Sequence, residues 1–421
     1  MERAFRLLLP VIALSTACVL WIGLAHTWNE ARGIMSPLGV PMGADLLQHH
    51  EAARFAAEGR WKDLYGGSAL GRALYQRTHD GEARSVSGFN YVYPPLVAMT
   101  GAPFAAMPYL GWVACWQLAI LVFYAASHAL CAPWRPHGLN IHLVAFGLPV
   151  FYFGLILAQN SALSLFILTI VAILLAGKRP LMAGVVLSCL FYKPQIGLAV
   201  AGFLLVAGHG RAALAFGAGT LGWLAVGWVL CGSEATLGWF AVLRDMLGGA
   251  QNQVAALHQS LPGTIKVLLG PGTSALVAPL ITLAGLACFG GLALWERHRQ
   301  PRHPENPELA VFLALAAWAL FSPYVMHYDL LLAVPWWWWN LRSDLKPGTA
   351  PALRVSGIAA AVIFWIATLL AINTPDLPVS PALPFLALWF CWTAIRHFRL
   401  PLPFLGSLTI QTNQTSRTPA K

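Results

Sequence analysis

Continuously apolar runs close to the roughly 20 residues needed to cross a bilayer recur along this chain, and no other feature restricts its fold so severely. Lipid offers no hydrogen bonds to a bare backbone, so a spanning segment must satisfy its own peptide groups, either as a helix or within a closed barrel. Barrel strands alternate apolar and polar residues, whereas these runs do not. The expected fold class is therefore all-α, a polytopic integral membrane protein of about 11–13 transmembrane helices. Composition agrees: 58% of the 421 residues are hydrophobic, 10% are charged, and the mean hydropathy is +0.64.

The candidate spans are Leu7–Ala25, Gly111–Cys131, Ile141–Leu157, Ala162–Gly177, Leu181–Tyr192, Ile196–Gly208, Ala212–Cys231, Ser274–Leu294, Leu309–Phe321, Leu330–Asn340, Val355–Ile372 and Ala382–Ile395. With the N-terminus inside, Arg3/Arg6, Arg135, Lys178/Arg179, Arg211, Arg297/Arg299/Arg302, Arg342/Lys346/Arg354 and Arg396/Arg399 all fall on the cytoplasmic side, the positive-inside pattern. This alternation requires that Pro94 to Pro108 does not cross, so it reads as a re-entrant or interfacial helix. Lys193-Pro194 divides two short spans that meet near the outer side, since proline cannot donate to a helix ladder and disfavours helix in the residue before it. Short, broken helices are tolerated where they line a cavity.

The first run follows Arg3 and Arg6 but is long and has no small-x-small exit, so it reads as a retained helix and not as a cleaved signal. Residues 1–405 form one expected transmembrane domain, and 406–421 a disordered cytoplasmic tail. Outer segments are expected at 26–93, with an amphipathic helix over 44–58 closed by Gly59, and at 232–264. Trp336-Trp337-Trp338-Trp339 reads as a headgroup belt at the inner boundary. The net charge of +10 resides mainly in short connections, where it orients the chain against anionic lipid; membrane lipids, and not nucleic acid, are its partners. Seven cysteines scattered through apolar segments, with no C-x-x-C spacing, read as core residues.

The unusual polar residues fall at one kind of helix end. Asp45 opens the amphipathic segment; Asp followed three residues later by Gln48 is a capping spacing, and the alternative is a general base at the membrane surface. Lys193, between two apolar helices, needs an anionic partner: a phosphate or pyrophosphate on one reading, an internal ion pair or an outward snorkel on the other. Gln159-Asn160 at a helix junction either bind a sugar or satisfy frayed backbone ends. His327 and Asp329 open a span, as site residues or as headgroup-level helix-start residues favouring the N-terminal dipole. His49, His50 and His258 suggest a metal with Asp45, but no H-x-x-x-H helix spacing or Cys partner supports one, so neither a metal nor a cofactor is expected. The chain has no G-x-x-x-x-G-K-[ST] loop, no G-x-S-x-G elbow and no D-x-D pair, which argues against ATP-driven transport, a serine hydrolase and a metal-bound nucleotide-sugar donor.

Several of these segments, in chain order, resemble the polytopic glycosyltransferases of the C-type fold, and specifically glycosyltransferase family 87, which includes polyprenol-phosphate-mannose-dependent α-mannosyltransferases. Gly43-Ala44-Asp45 with Tyr65 resembles the family's first outer loop, and Tyr93-Pro94-Pro95-Leu96 its Y-P-P segment. Gln159-Asn160 resembles G-Q-N, with Ala158 in place of the glycine. Tyr192-Lys193-Pro194-Gln195 resembles the K-P pair, and Ser322-Pro323-Tyr324 with Tyr328-Asp329-Leu330 the late S-P-Y…Y-D-L corner. His327-Tyr328-Asp329 departs from the W-x-H-H corner of the family's mannosyltransferases, which leaves the sugar open.

The resemblance implies inverting transfer from a polyprenyl-phosphate-linked sugar to a lipid or glycan acceptor at the outer face of a bacterial inner membrane. It implies Asp45 as the base that deprotonates the acceptor, with His327 assisting, and Lys193 as a contact for the donor phosphate. Gln159, Asn160, Asp329, Tyr93, His258 and Gln259 would line the sugar site. A rival reading is a secondary transporter or flippase of an anionic lipid-linked substrate, built on Lys193 and its broken helix pair. That rival calls for mid-membrane polar groups reachable from both sides and an internal repeat, neither of which the sequence displays. A second rival is a non-catalytic scaffold, which would tolerate loss of Asp45 or Lys193.

Overall fold

In the computed structural model the described residues are 2–37, 41–66, 68–78, 91–135, 141–247, 260–265, 307–322 and 325–344, with isolated positions between 268 and 294 and residue 366. The expected spans Val355–Ile372 (save residue 366) and Ala382–Ile395, the tail, His258, Gln259, Pro323 and Tyr324 lie outside them, as does about half of Ser274–Leu294. The protein is an all-α membrane protein; among the described residues the extended pairing is limited to isolated bridges at Arg32–Met35 and Met35–Pro41.

Helix α1 (Glu2–Asn29) leads into a cap made of α2 (Leu46–Ala57), α3 (Trp61–Tyr65), α4 (Ser68–Thr78) and the short α5 (Pro95–Gly101). The bundle follows: α6 (Tyr109–Leu130), α7 (Ile141–Phe146), α8 (Pro149–Ile156), α9 (Ser161–Ala176), α10 (Pro180–Ser188), α11 (Pro194–Val206), α12 (Gly210–Leu247), α13 (Pro307–Phe321) and α14 (Val334–Asp344). Among the described residues three helices are long and apolar enough to cross a membrane: Pro10–Asn29, Tyr109–Leu130 and Gly210–Asp245. Their outward side chains, such as Val19, Ile22, Leu118, Val122, Leu221 and Val229, are exposed, as a lipid-facing surface requires.

Proline sets many of the breaks. Pro95, Pro149, Pro180 and Pro194 each stand in the first turn of a helix, where the missing N–H costs nothing. The expected span Ile141–Leu157 is thereby two helices, α7 and α8, parted before Pro149, where Gly147 lies so close to α1 that a Cβ there would collide with the Ala13 carbonyl oxygen. The region from Pro94 to Pro108 contains only α5 and a 3-10 turn, too short to cross. Past Cys231, the expected end of its span, α12 breaks locally at Gly232 (φ +83°) and continues to Leu247, so the first half of the expected outer segment 232–264 is helical.

Two apolar cores result. The larger joins α6, α8, α9, α10, α11, α13 and α14; the smaller joins α2, α3 and α4 to Tyr91, to Tyr109 and Val113 at the start of α6, and to Cys231, Ala235, Trp239 and Val242 of α12. In the larger core helices meet through small residues: a Cβ on Gly184 would strike the Ala212 carbonyl oxygen, and one on Gly219 the Ser188 hydroxyl. The tryptophan run does not form a headgroup belt. Trp336, Trp337 and Trp338 are 1%, 0% and 1% exposed, and the Trp338 ring lies 4.7 Å from that of His128 on α6. Their apolar area is buried against other helices because the 3-10 turn His327–Ala333 carries α14 into the bundle interior.

Candidate active site

The cap and the bundle meet at two tight turns. Gly43 (φ +69°) and Ala44 (φ +36°) turn the chain into α2; Tyr109 donates to the Met42 carbonyl, and a Cβ added at Gly43 would lie 3.2 Å from both Ala158 Cβ and Val113 Cγ2. The opposing turn ends α8. There Gln159 N–H donates to the Gly154 carbonyl and Ala158 N–H to that of Leu155, the double bond of a Schellman cap, which puts its penultimate residue in the left-handed region. Ala158 occupies that position at φ +50°, which gives a physical reason for a glycine there in the G-Q-N motif.

These turns aim the polar side chains at each other. Asp45 makes no side-chain cap bond to its own helix, contrary to the capping spacing; its Oδ2 accepts from Gln159 Nε2 across the junction. Nor does Asn160 cap α9: its Nδ2 donates to the Tyr93 hydroxyl at 3.4 Å. Tyr93 is itself placed by its carbonyl, which accepts from the Tyr65 hydroxyl at 2.8 Å.

Lys193 sits where the chain leaves helical geometry before Pro194 (φ −129°, ψ +67°), as a residue preceding proline must. Its anionic partner in this structure is Asp329: Lys193 Nζ donates to Oδ1 at 2.8 Å, both side chains being buried, and lies 5.4 Å from the Tyr328 ring centroid. Asp329 Oδ1 also accepts from the Ser161 hydroxyl at 2.8 Å, and Oδ2 from Met326 N–H at 3.3 Å, so Asp329 both opens its turn and anchors the lysine. His327 packs edge-on against Phe153 at 4.1 Å. His327 Nε2 and Asn160 Oδ1 are buried atoms with no hydrogen-bond partner among the described residues, a costly condition that a bound polar group would relieve.

Asp45 differs from the other acid. Its side chain reaches solvent, yet the buried Gly43, Leu46 and Leu47 flank it and the protein packed around it partly desolvates the carboxylate. Burial pushes its pKa above the ordinary aspartate value; the Gln159 hydrogen bond and the Lys193 charge pull against that, and the Asp329 charge adds to it. His49, one turn along α2, lies in the same field: burial and then the Lys193 charge lower its pKa to about 4, so it is neutral near pH 7. Its Nδ1 is 3.2 Å from the Tyr91 hydroxyl, and its ring centroid 4.4 Å from that of Tyr93.

Thus Asp45, Gln159, Asn160, Tyr93, Lys193 and Asp329 are joined by contacts or charge, with His327 beside Tyr328. His49, weighed from the sequence only as a metal ligand, lies beside them, as do Tyr91 and Ser161, which sequence reasoning did not name. The i, i+4 spacing of His49 from Asp45 on an amphipathic helix was a usable signal, whereas nothing in the sequence pairs Ser161 with Asp329, 168 positions away. Among the described residues no group of three or more His, Cys, Asp or Glu side chains is placed to hold a metal ion.

Neither the curated proteins nor the solved structures contain a match to this chain. The model of glycosyltransferase family 87 matches residues 91–323, more than half of the chain, and that stretch carries Tyr93, Gln159, Asn160 and Lys193. With membrane-length helices and that match together, the chain is a membrane glycosyltransferase and belongs to glycosyltransferase family 87.

Proposed function

We propose that this glycosyltransferase moves a mannose-like hexose or a pentose from a polyprenyl-phosphate sugar to a lipid or glycan acceptor. Transfer is inverting, needs no nucleotide, and takes place at the outer face of a bacterial inner membrane, with the N-terminus cytoplasmic. Asp45 takes the proton of the acceptor hydroxyl, and the freed oxygen attacks the anomeric carbon. The bond from that carbon to the phosphate oxygen breaks, and polyprenyl phosphate departs with the electron pair. Lys193 stabilises the charge that develops on the leaving phosphate. Its ion pair with Asp329 keeps it in place beforehand, and Ser161 and Met326 N–H still satisfy Asp329 when Lys193 turns to the phosphate. Asn160 Oδ1 and His327 Nε2, both without a hydrogen-bond partner among the described residues, are offered to sugar hydroxyls, and His327 assists Asp45.

The observation that carries this reading is the contrast between the two acids. Asp45 is accessible and holds a pKa raised towards that of a useful base, while Asp329 is buried and held by three donors. An accessible carboxylate with no cation bound to it among the described residues suits direct displacement, which needs a base and no protein nucleophile. A transporter reading has to place a substrate reachable from both sides of the membrane, whereas these groups gather where the cap closes one end of the bundle.

The test uses purified protein in lipid nanodiscs, with radiolabelled polyprenyl-phosphate-mannose and a panel of other polyprenyl-phosphate sugars. Time-dependent transfer with release of polyprenyl phosphate, and an inverted anomeric configuration in the product by NMR, is the expected result. Retained configuration, or transfer from a nucleotide sugar instead, refutes the scheme.

A further inference from the structure

We infer that His49 is a specificity-determining residue for the acceptor, donating a hydrogen bond from Nε2–H to a hydroxyl next to the one that Asp45 deprotonates. The acceptor is then a sugar ring or another vicinal diol, not an isolated lipid alcohol. This inference rests on the proposed role of Asp45.

The tautomer follows from Tyr91. That residue is fully buried, and its hydroxyl has one hydrogen-bond partner among the described residues, His49 Nδ1 at 3.2 Å. If Nδ1 carried the proton, the Tyr91 O–H would be left buried without an acceptor, which costs more than the alternative. Tyr91 therefore donates to Nδ1, and the imidazole proton resides on Nε2, at the far side of the ring. Nε2 makes no hydrogen bond among the described residues, and the ring is half-buried, so a neutral donor is presented with no protein acceptor. Burial and the Lys193 charge keep the ring neutral, so Asp45 does not face a competing cation here.

Position identifies what it meets. Asp45 and His49 are one turn apart on the face of α2 that meets the site, about 5–6 Å between Cβ atoms. Two hydrogen bonds of about 2.8 Å converging from such a pair reach two neighbouring oxygens on one ring. Tyr93, whose ring lies 4.4 Å from His49, borders the same space with an aromatic face.

The experiment compares octyl glycoside acceptors, intact and with the flanking hydroxyl removed, in wild-type protein and in His49→Phe, His49→Gln and Tyr91→Phe. Polyprenyl-phosphate-mannose serves as donor, or whichever polyprenyl-phosphate sugar of the panel is transferred. Loss of the hydroxyl is expected to lower wild-type kcat/KM for acceptor by about 10- to 100-fold, mainly through KM. His49→Phe should lower activity on the intact acceptor by a similar factor and respond little to the deletion, while His49→Gln, which keeps an amide N–H near the Nε2 position, recovers part of the loss. Tyr91→Phe, which frees the tautomer, should fall between. Because intact and deoxy acceptors are compared in one preparation, the amount of folded protein cancels. Equal sensitivity of wild type and His49→Phe to the missing hydroxyl, or efficient wild-type use of octanol, overturns the inference and leaves the transferase standing. Absence of wild-type transfer from every polyprenyl-phosphate sugar overturns both.

Discussion

In the cap, Glu51 of α2 gathers Arg54 at 3.2 Å and Arg77 of α4 at 3.3 Å, with His50 adjacent, and Arg60 ties Glu58 to Asp63 at the surface. In the bundle interior, the ion pair among the described residues is Lys193–Asp329. The cap spends charge as a water-facing protein does, clasping two helices where arginines reach solvent. In the bundle, helices are held by glycine contacts and apolar area, and a buried charge pair there stabilises little against its own desolvation. Charge in the cap therefore says little about function, whereas charge in the bundle singles out the candidate site.

Breaking one pair in each region tests the contrast. Lys193→Met strands Asp329 without its cation and is expected to lower stability by about 3–5 kcal/mol, read from thermal unfolding in detergent; a loss under 1 kcal/mol would mean water already serves that carboxylate. Packing gives the next largest effect. Gly184→Ala forces α10 away from α12 at an expected cost of about 1–3 kcal/mol. Gly59→Ala in the cap meets no neighbouring atom and bears only the left-handed backbone penalty of about 1 kcal/mol. Ala158→Gly reverses that penalty at the junction and should stabilise by up to about 1 kcal/mol. Smallest is Arg54→Ala: its side chain is 42% exposed and Arg77 remains on Glu51, so the loss should stay below about 1 kcal/mol.

Acid separates the regions too. Burial alone would raise the Glu51 pKa, but the His50 hydrogen bond and the Arg54 and Arg77 charges outweigh it and hold it below 4.5. Its contribution is therefore present above that value and lost as pH falls through the lower folded value. The Asp45 pKa is displaced upwards, so its protonation favours the folded protein. Unfolding followed against pH should show a cap signal, such as Trp61 quenching, weakening in strong acid while activity has already been lost at higher pH.

Much of this was legible beforehand for physical reasons. Lipid forces helices, proline forces breaks, and unpaired polar groups at helix ends are rare enough to be noticed, so Asp45, Gln159-Asn160 and Lys193-Pro194 were visible as a set. What escaped depends on long-range contact. Capping spacing at Asp45 cannot reveal that its carboxylate reaches Gln159, 114 positions on, nor can a lysine between apolar runs name Asp329 as its partner. The tryptophan run was misplaced because an interfacial belt and a buried aromatic layer have the same composition, and only the turn at His327–Ala333 distinguishes them. The continuation of α12 beyond Gly232 was hidden by a glycine that breaks the helix locally without ending it.

The central claim is that Asp45 is the base, and transfer by wild type and Asp45→Asn measured side by side from pH 5 to 9 at matched folded protein tests it most directly. Wild-type kcat/KM should rise with pH through a midpoint above the ordinary aspartate value of 3.8, because an ionised carboxylate is required and burial disfavours it. Asp45→Asn should remain at least as stable as wild type and lose about 10²–10⁴-fold in kcat at every pH. Transfer by Asp45→Asn within a few-fold of wild type, with the same pH dependence, would contradict it.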